Sequence, residues 1–465
     1  MRSGGRKLVS MNDELDELRQ TAPGARVITD PDLMESYRRD QTPVVSAGQP
    51  RCVVLASSTA EVAATLAWAE RHQVPVVPRG GGTSLAGGAT ATDGCLVLST
   101  ARMTAIRELD PANEIAVAEA GVINADLDRA AAEHGLMYAP DPSSYEISTL
   151  GGNLATNAGG LRCVKYGVTR DSVLGLEVVL AGGRVLRTGR RTMKGVTGYD
   201  LTGLFVGSEG TLGVITSATL RLRPRPAQYP VTVAAGFTSV GASASAVTAI
   251  LAARLRPSLL ELMDSATLRA IDDWKSTGFG DSVQALLIAQ DDSESAERGG
   301  QLMQEICLRE GAVMAEVSQS EAESRQLLDL RRLSYPAIER LGVPLVEDVC
   351  VPRSRLPDMV ARIEQAGERH GVFIATVAHA GDGNLHPVFL FDRGLAEVPP
   401  AVWKAADEVF RAALELGGTL TGEHGVGMIK RRWLADELGA ESMAVHHAIK
   451  DALDPAGIMN PGKVL

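Results

Sequence analysis

Apolar and polar positions along the chain follow two styles, one for each half. In the first half, residues 52–56 form a short apolar run that predicts a buried strand. Ser58 and Glu61 then have the spacing of a helix-capping box, and Val62, Leu66 and Trp68 among alanines predict the helix that follows. Residues 75–79 read as the next strand, so the segment is a strand–helix–strand unit with a glycine loop at its outgoing end. Residues 176–180, 184–188 and 213–222 look like further strands joined by glycine turns. In the second half, strands alternate with longer helices. Strands are predicted at 231–237, 259–263 and 283–289, and helices at 240–255, between the last two strands, and at 293–309, 320–341 and 401–416. Pro336 should kink the helix over 320–341. Residues 221–230 contain three prolines, which suit neither a helix interior nor a central strand, so a domain boundary is drawn at about residue 225.

Composition narrows the class. The 465 residues suggest two or three domains; hydrophobic residues make up 45% and charged residues 22%, which fits a globular chain with a real core. Acids outnumber bases 57 to 46, a net charge of −11, which argues against a general nucleic-acid binder. No apolar run reaches the ~18 residues of a membrane span. Arg2, Arg6 and Lys7 precede only Leu8 and Val9, and acids follow from Asp13, so neither a secretory nor a transit signal is read; Met11 is an alternative start. Cys52, Cys95, Cys163, Cys307 and Cys350 are scattered with no Cys-x-x-Cys pair, which suggests reduced thiols in the cytoplasm.

The 48 glycines crowd three regions, 80–88, 151–167 and 203–213. In the first, Pro78, Arg79, Gly80, Gly81, Gly82, Thr83 and Ser84 leave a strand with the backbone freedom and donors that suit a pyrophosphate; the bland alternative is a surface loop. Neither a Rossmann nor a P-loop fingerprint is present. In the second, Asp141, Pro142, Ser143 and Ser144 lead into Thr149, Gly152, Asn153, Ala155, Asn157 and Gly160, small enough to pass beside a flat ring. The third contains Glu209, Gly213 and Ile215. Over residues 48–225 the three loops, in this order, resemble the FAD-binding fold of the vanillyl-alcohol oxidase type. The resemblance implies that residues 79–84 hold the pyrophosphate and residues 141–144 and 149–157 line the isoalloxazine and ribityl parts. It puts Glu209, Gly213 and Ile215 near adenine and ribose. Gly167 is carried into the cofactor set in the same way. No histidine lies within 78–88, where a covalent link is often made, so non-covalent FAD is expected.

Three of the eight histidines fall in two short motifs. His379 and His386 end two apolar runs joined by Gly-Asp-Gly-Asn, which predicts a hairpin with both imidazoles at one end. Glu423 and His424 lie in a glycine-rich turn after the helix over 401–416, which Gly417 and Gly418 should end. Two imidazoles and a carboxylate can hold a divalent cation and leave positions open; the alternative is two packed histidines and a salt-bridged glutamate.

These motifs resemble the C-terminal domain of FAD-linked 2-hydroxy-acid oxidases and dehydrogenases. That family includes cytochrome-linked D-lactate dehydrogenases, the flavin subunit of bacterial glycolate oxidase and D-2-hydroxyglutarate dehydrogenase. Residues 454–463, with Asn460, look like its closing segment and should return to the flavin domain. The resemblance implies an α+β architecture of four parts: an N-terminal segment over 1–47, an FAD domain over 48–225, a ferredoxin-like cap with the metal site over 226–453, and the returning segment over 454–465. His379, His386 and Glu423 would bind a metal, zinc or manganese, with His424 as catalytic base. Arg331 would grip the substrate carboxylate, although a solvated helix charge is the other reading. Asn384 and Lys430 would line the substrate site. The hydroxyglutarate branch has a lysine where this chain has Val346, which favours a small monocarboxylate.

The implied reaction is oxidation of D-lactate or glycolate to the 2-oxo acid. It combines metal-assisted proton abstraction by His424 with hydride transfer to flavin N5. Electrons would leave to a quinone, a cytochrome, an electron-transfer flavoprotein or an Fe–S subunit, with peripheral attachment to the inner membrane through such a partner and a homodimer both left open. The alternatives are a non-catalytic FAD subunit of a larger glycolate oxidase, a D-2-hydroxyglutarate dehydrogenase, a flavin alkyl-transferase and a flavin-free metal hydrolase.

Overall fold

The computed structural model describes residues 11–278, 283–395 and 397–465, so the basic N-terminal residues lie outside the description. Three main sheets organise the chain. The first has four strands in the order Arg26–Ile28, Cys52–Leu55, Leu96–Ser99, Val76–Arg79. The expected strand–helix–strand unit forms, but Leu96–Ser99 lies between its two strands and runs parallel to both. Helix Thr59–His72 connects them, and the Ser58 side chain accepts from the Glu61 amide as the spacing requires. The Glu61 carboxylate turns instead to the amide and hydroxyl of Ser57. Burial drives this layer: Val54, Leu66, Trp68, Val76 and Leu98 share one core.

The second sheet is antiparallel, in the order Ile106–Asp110, Ile115–Glu119, Val214–Arg221, Val173–Val179, Val185–Gly189. Helix Leu150–Thr156 packs near its centre, with Leu150 and Leu154 in the core shared by Val178 and Ile215.

The third sheet has eight strands and belongs to the second half. Its path runs Ala312–Val317, Val231–Phe237, Ala285–Asp291, Leu259–Asp264, Phe373–His379, Asn384–Phe391, Val343–Val346, with Val349–Cys350 paired to Asn384–Phe391 off this path. Side chains alternate between its faces, as strand geometry demands. Leu260, Leu262, Leu287, Ala378 and Leu385 join the core built with helices Val240–Ala252, Leu356–His370 and Pro400–Glu415. Leu259, Met263, Ile288, Val377 and Val388 face the other way, under Ser265–Lys275 and Ser334–Glu339.

The α+β expectation holds, with local corrections. The long helix expected over 320–341 is two helices, Glu321–Arg332 and Ser334–Glu339, which meet at Leu333. Pro336 sits in the first turn of the second helix, where a missing N–H removes no helical bond. A helix at Leu434–Leu453, interrupted at Gly439, was not anticipated. Its Ile449 and Leu453 pack on the core of the second sheet. The chain then returns to the first sheet: the Val76 amide donates to Ile458 O at 2.8 Å and the Asn460 amide to Val76 O at 2.7 Å. Among the described residues no helix is long and apolar enough to cross a membrane.

Candidate active site

The glycine loops converge on a cleft. Pro78, Arg79, Gly80, Gly81, Gly82, Thr83 and Ser84 form one wall, Pro142, Ser143 and Ser144 a second, and Gly152, Asn153 and Ala155 a third. Glu209 and Gly213, in the loop before strand Val214–Arg221, and Ile215 on that strand complete it, and Glu423 and His424 reach it from the other half of the chain. A β-carbon on Gly80 would run into the Thr149 hydroxyl, and one on Gly81 would lie 2.7 Å from Ile147 O, so this loop lies flush on its neighbour only as glycine. The amides of Gly82, Thr83 and Ser84 donate to no protein acceptor among the described residues. Free amides at the exit of a strand are the donors a pyrophosphate needs, so the cleft fits FAD.

Several expected cofactor residues support the walls and do not line them. Thr149 Oγ1 accepts from Gly81 N at 3.2 Å and from Gly152 N at 3.4 Å, fastening two loops together. Asp141 is held by Arg162, whose Nε donates at 3.0 Å. Asn157 closes helix Leu150–Thr156 in the left-handed conformation and accepts from Arg170 N at 2.9 Å. Gly160 lies against the Asp141 backbone and Gly167 against the Asp171 side chain, which leaves no room for larger residues. Asn460 Nδ2 donates to Gly88 O at 3.0 Å and Glu209 O at 2.8 Å, so it braces the cleft from behind. Gly88, Ser208 and Gly210 line the cleft and were missed as individual residues, although they lie in the glycine-rich segments already noted.

The histidine hairpin forms as predicted. Strands Phe373–His379 and Asn384–Phe391 pair with His379 opposite Asn384 and His386 opposite Val377. Glu423 Oε1 lies 3.4 Å from His379 Nε2 and 3.2 Å from His386 Nε2. Tetrahedral bonds of ~2.1 Å place ligand atoms roughly 3.4 Å apart, so these three donors fit a divalent cation. The ring far from the cluster is fixed as well: His379 Nδ1 is 2.7 Å from Glu261 Oε1, and Arg331 Nε donates to Glu261 Oε2 at 2.8 Å. A carboxylate behind a ligating imidazole sets its tautomer and basicity. Burial would lower the pKa of His379, but Glu261 and Glu423 outweigh it and raise it well above the usual value. Burial would raise Glu423; His379 and His386 outweigh it and hold it well below the carboxylate range. Glu261 was missed by sequence reasoning, and its one signal is a lone acid inside the apolar run of strand Leu259–Asp264.

The Glu-His turn is wound on Asp348. That carboxylate accepts from Thr421 Oγ1 at 2.9 Å, Gly422 N at 2.6 Å and Glu423 N at 2.7 Å. Lys430 Nζ donates to the same carboxylate and to Asp348 O, and its side chain is 1% exposed. Lys430 is therefore not a substrate contact; it neutralises Asp348 behind the turn. Nothing local in the sequence marks Asp348 for this role, because the role depends on residues more than 70 positions away. His424 stacks on His386 at 4.9 Å. Burial, opposed by Asp348, lowers its pKa to about 4, so its imidazole is neutral near pH 7. The Asn384 side chain is buried beside Gly422, with Oδ1 unpartnered among the described residues.

Glu209 lines the cleft, and its carboxylate accepts from Val426 N at 2.7 Å and Gly427 N at 2.8 Å, so it also engages the turn that carries His424. Burial pushes its pKa up to about 7. A small hollow adjoins the cleft, shares Gln41 and Leu85 with it, and is otherwise lined by mostly apolar side chains, including Val44, Tyr335, Val346 and Ile429.

Comparison with known proteins agrees with this geometry. Residues 50–189 match the FAD binding domain family, and residues 227–464 match the family of FAD linked oxidases, C-terminal domain. The chain is 43% identical over 431 residues to glycolate oxidase subunit GlcD of Bacillus subtilis (strain 168), covering 92% of this chain and 91% of that protein. It is 35% identical over 467 residues to D-lactate dehydrogenase of Archaeoglobus fulgidus, covering 98% and 99% respectively. The solved structure of p-cresol methylhydroxylase shares the fold, with a TM-score of 0.79 at 19% identity and 98% of each chain covered. The chain belongs to the FAD-linked oxidase family, as an FAD-binding oxidoreductase with the vanillyl-alcohol oxidase type of fold.

Proposed function

We propose that this enzyme oxidises a small 2-hydroxy monocarboxylate, D-lactate or glycolate, to the 2-oxo acid, with FAD held non-covalently. The observation that carries the reading is the meeting of His424 with the His379, His386 and Glu423 donors at the edge of the glycine-walled cleft. The substrate carboxylate is taken by Arg331. Its Nε is committed to Glu261, and its two terminal nitrogens have no protein acceptor among the described residues. Such a fork binds a carboxylate with two parallel bonds. His424 takes the hydroxyl proton at Nε2, the nitrogen on the Glu423 side; its depressed pKa keeps the imidazole neutral, so one ring nitrogen is free to accept. A divalent cation on His379, His386 and Glu423, zinc or manganese, would supply Lewis acidity toward the substrate oxygen. FAD, when bound, supplies the acceptor for the hydride that leaves the substrate carbon.

Val346 supports the choice of substrate: it offers no charge to a second carboxylate, and a methyl group or hydrogen needs none. The names of GlcD relatives, which call those proteins oxidase subunits, support a partner protein as the next electron carrier.

The test is to mix the purified holoenzyme, without oxygen, with D-lactate, glycolate, L-lactate and D-2-hydroxyglutarate in turn. Bleaching of the flavin band by D-lactate or glycolate is expected. Bleaching by D-2-hydroxyglutarate alone would overturn the monocarboxylate assignment, and a flavin that none of them reduces would overturn the 2-hydroxy-acid reading.

A further inference from the structure

Glu209 carries features that cofactor binding does not require. It is a non-glycine residue with φ +50°, a left-handed conformation that is uncommon outside glycine. Its carboxylate is buried, although an ionised group loses solvation there. Both conditions are held in place by the surroundings. The Glu209 amide donates to Ala155 O at 2.8 Å, and Asn460 Nδ2 donates to Glu209 O at 2.8 Å. Lys463 Nζ in turn donates to Asn460 Oδ1 at 3.0 Å, which fixes the orientation of that amide. A strained backbone persists where surrounding contacts over-determine it, and such positions cluster at working sites.

What the carboxylate touches is the backbone of the catalytic turn. Val426 and Gly427 donate to its two oxygens, three and four residues after Glu423. Gly425, at φ +86°, packs so closely that a β-carbon there would lie 2.8 Å from Glu209 Oε1. A second grip lies beside it: Ala86 O accepts from Met428 N at 2.8 Å. Ala86 sits between Leu85 and Gly88, and Glu209 between Ser208 and Gly210, all of which line the flavin cleft. The turn that presents Glu423 and His424 is thus hung from two walls of the cleft, and its other support is Asp348 from its own half of the chain.

We propose that Glu209 is a positioning residue that couples the flavin cleft to the catalytic turn. FAD, by ordering the walls over 80–88 and 207–210, fixes the turn over 421–427 through this carboxylate. The inference rests on FAD occupying the cleft and not on the proposed substrate or metal. Coupling between two sites is reciprocal and commonly amounts to roughly 5- to 150-fold.

Hydrogen exchange of the full chain, with and without FAD, tests this. In the wild type, FAD should slow exchange at the Val426 and Gly427 amides by about tenfold or more, and in Glu209→Gln that dependence on FAD should fall below about twofold. A carboxylate with a purely structural role would raise exchange in the variant equally in both states, and that result overturns the proposal. An unchanged FAD dependence in the variant overturns it too. Should Glu209→Gln not fold, the wild type decides alone: equal exchange at these two amides with and without FAD refutes the coupling. In the folded variant, kcat should fall more than KM rises, since the loss lies in aligning His424 and not in binding substrate.

Discussion

His379 and His424 border the same small volume, yet their surroundings give them opposite character. Each has a buried carboxylate behind it. Behind His379, Glu261 makes a 2.7 Å contact with Nδ1, and the imidazole is drawn toward its charged form. Behind His424, Asp348 stays 3.6 Å from Nδ1, because its oxygens already serve the turn and Lys430. With its carboxylate engaged elsewhere, His424 follows burial and remains neutral. The lesson is that proximity to an acid does not set the state of a histidine; the other demands on that acid do. One arrangement favours a strongly basic imidazole, and the other a neutral one.

The comparison can be broken at either end. The largest effect is expected at His424 itself: His424→Ala should lower the rate of flavin reduction by substrate by about 10²- to 10⁴-fold and leave FAD bound, read by anaerobic stopped flow and by the retained flavin spectrum. Full reduction rates in that variant would remove His424 from the mechanism. Next comes the partner of Asp348. Lys430→Met leaves a buried carboxylate without its counter-charge and should destabilise the fold by about 3–5 kcal/mol in urea unfolding. The double variant with Asp348→Asn should recover part of that loss, and if it recovers none the pair is not the source. A smaller effect is expected behind His379: Glu261→Gln should weaken zinc or manganese binding by roughly 10- to 100-fold in calorimetry and leave the FAD content unchanged.

The smallest effect concerns pH and the carboxylate that meets the His424 turn from the first half. Folding raises the pKa of Glu209 from 4.5 to about 7, so the folded chain holds its proton longer than the unfolded chain. Its contribution is therefore most favourable below about pH 4.5, declines as pH rises toward 7, and is constant above that. Glu209→Gln should flatten the fall in Tm across this window. An identical pH slope in the variant would show that the carboxylate does not titrate there.

How much of this was legible in the sequence follows from range. The hairpin was readable because two apolar runs and their Gly-Asp-Gly-Asn turn are local, and His379 and His386 stand at its ends. The glycine walls were readable as segments for the same reason. Glu261 and Asp348 were not, since the partners of Glu261 lie 70 and 118 positions away and those of Asp348 73 to 82 positions away. Lys430 shows the converse error. A cation next to a catalytic motif suggests a substrate contact, but its side chain turns into the core toward Asp348. Thr149 and Asn460 illustrate a third limit. A small polar residue in a glycine-rich segment has the same composition whether it touches a ligand or fastens the loop that does.

The return of residues 458–463 to the first sheet bears on synthesis. Val76 and Thr90 receive their closing bonds from residues more than 370 positions downstream, Ile458, Asn460 and Lys463. On the ribosome, the flavin half emerges early but stands without these bonds until almost all of the catalytic half has been made. A nascent chain stalled before residue 458 should therefore hold FAD weakly, so the two halves mature together and a loaded cofactor reports a chain whose catalytic turn has also been built.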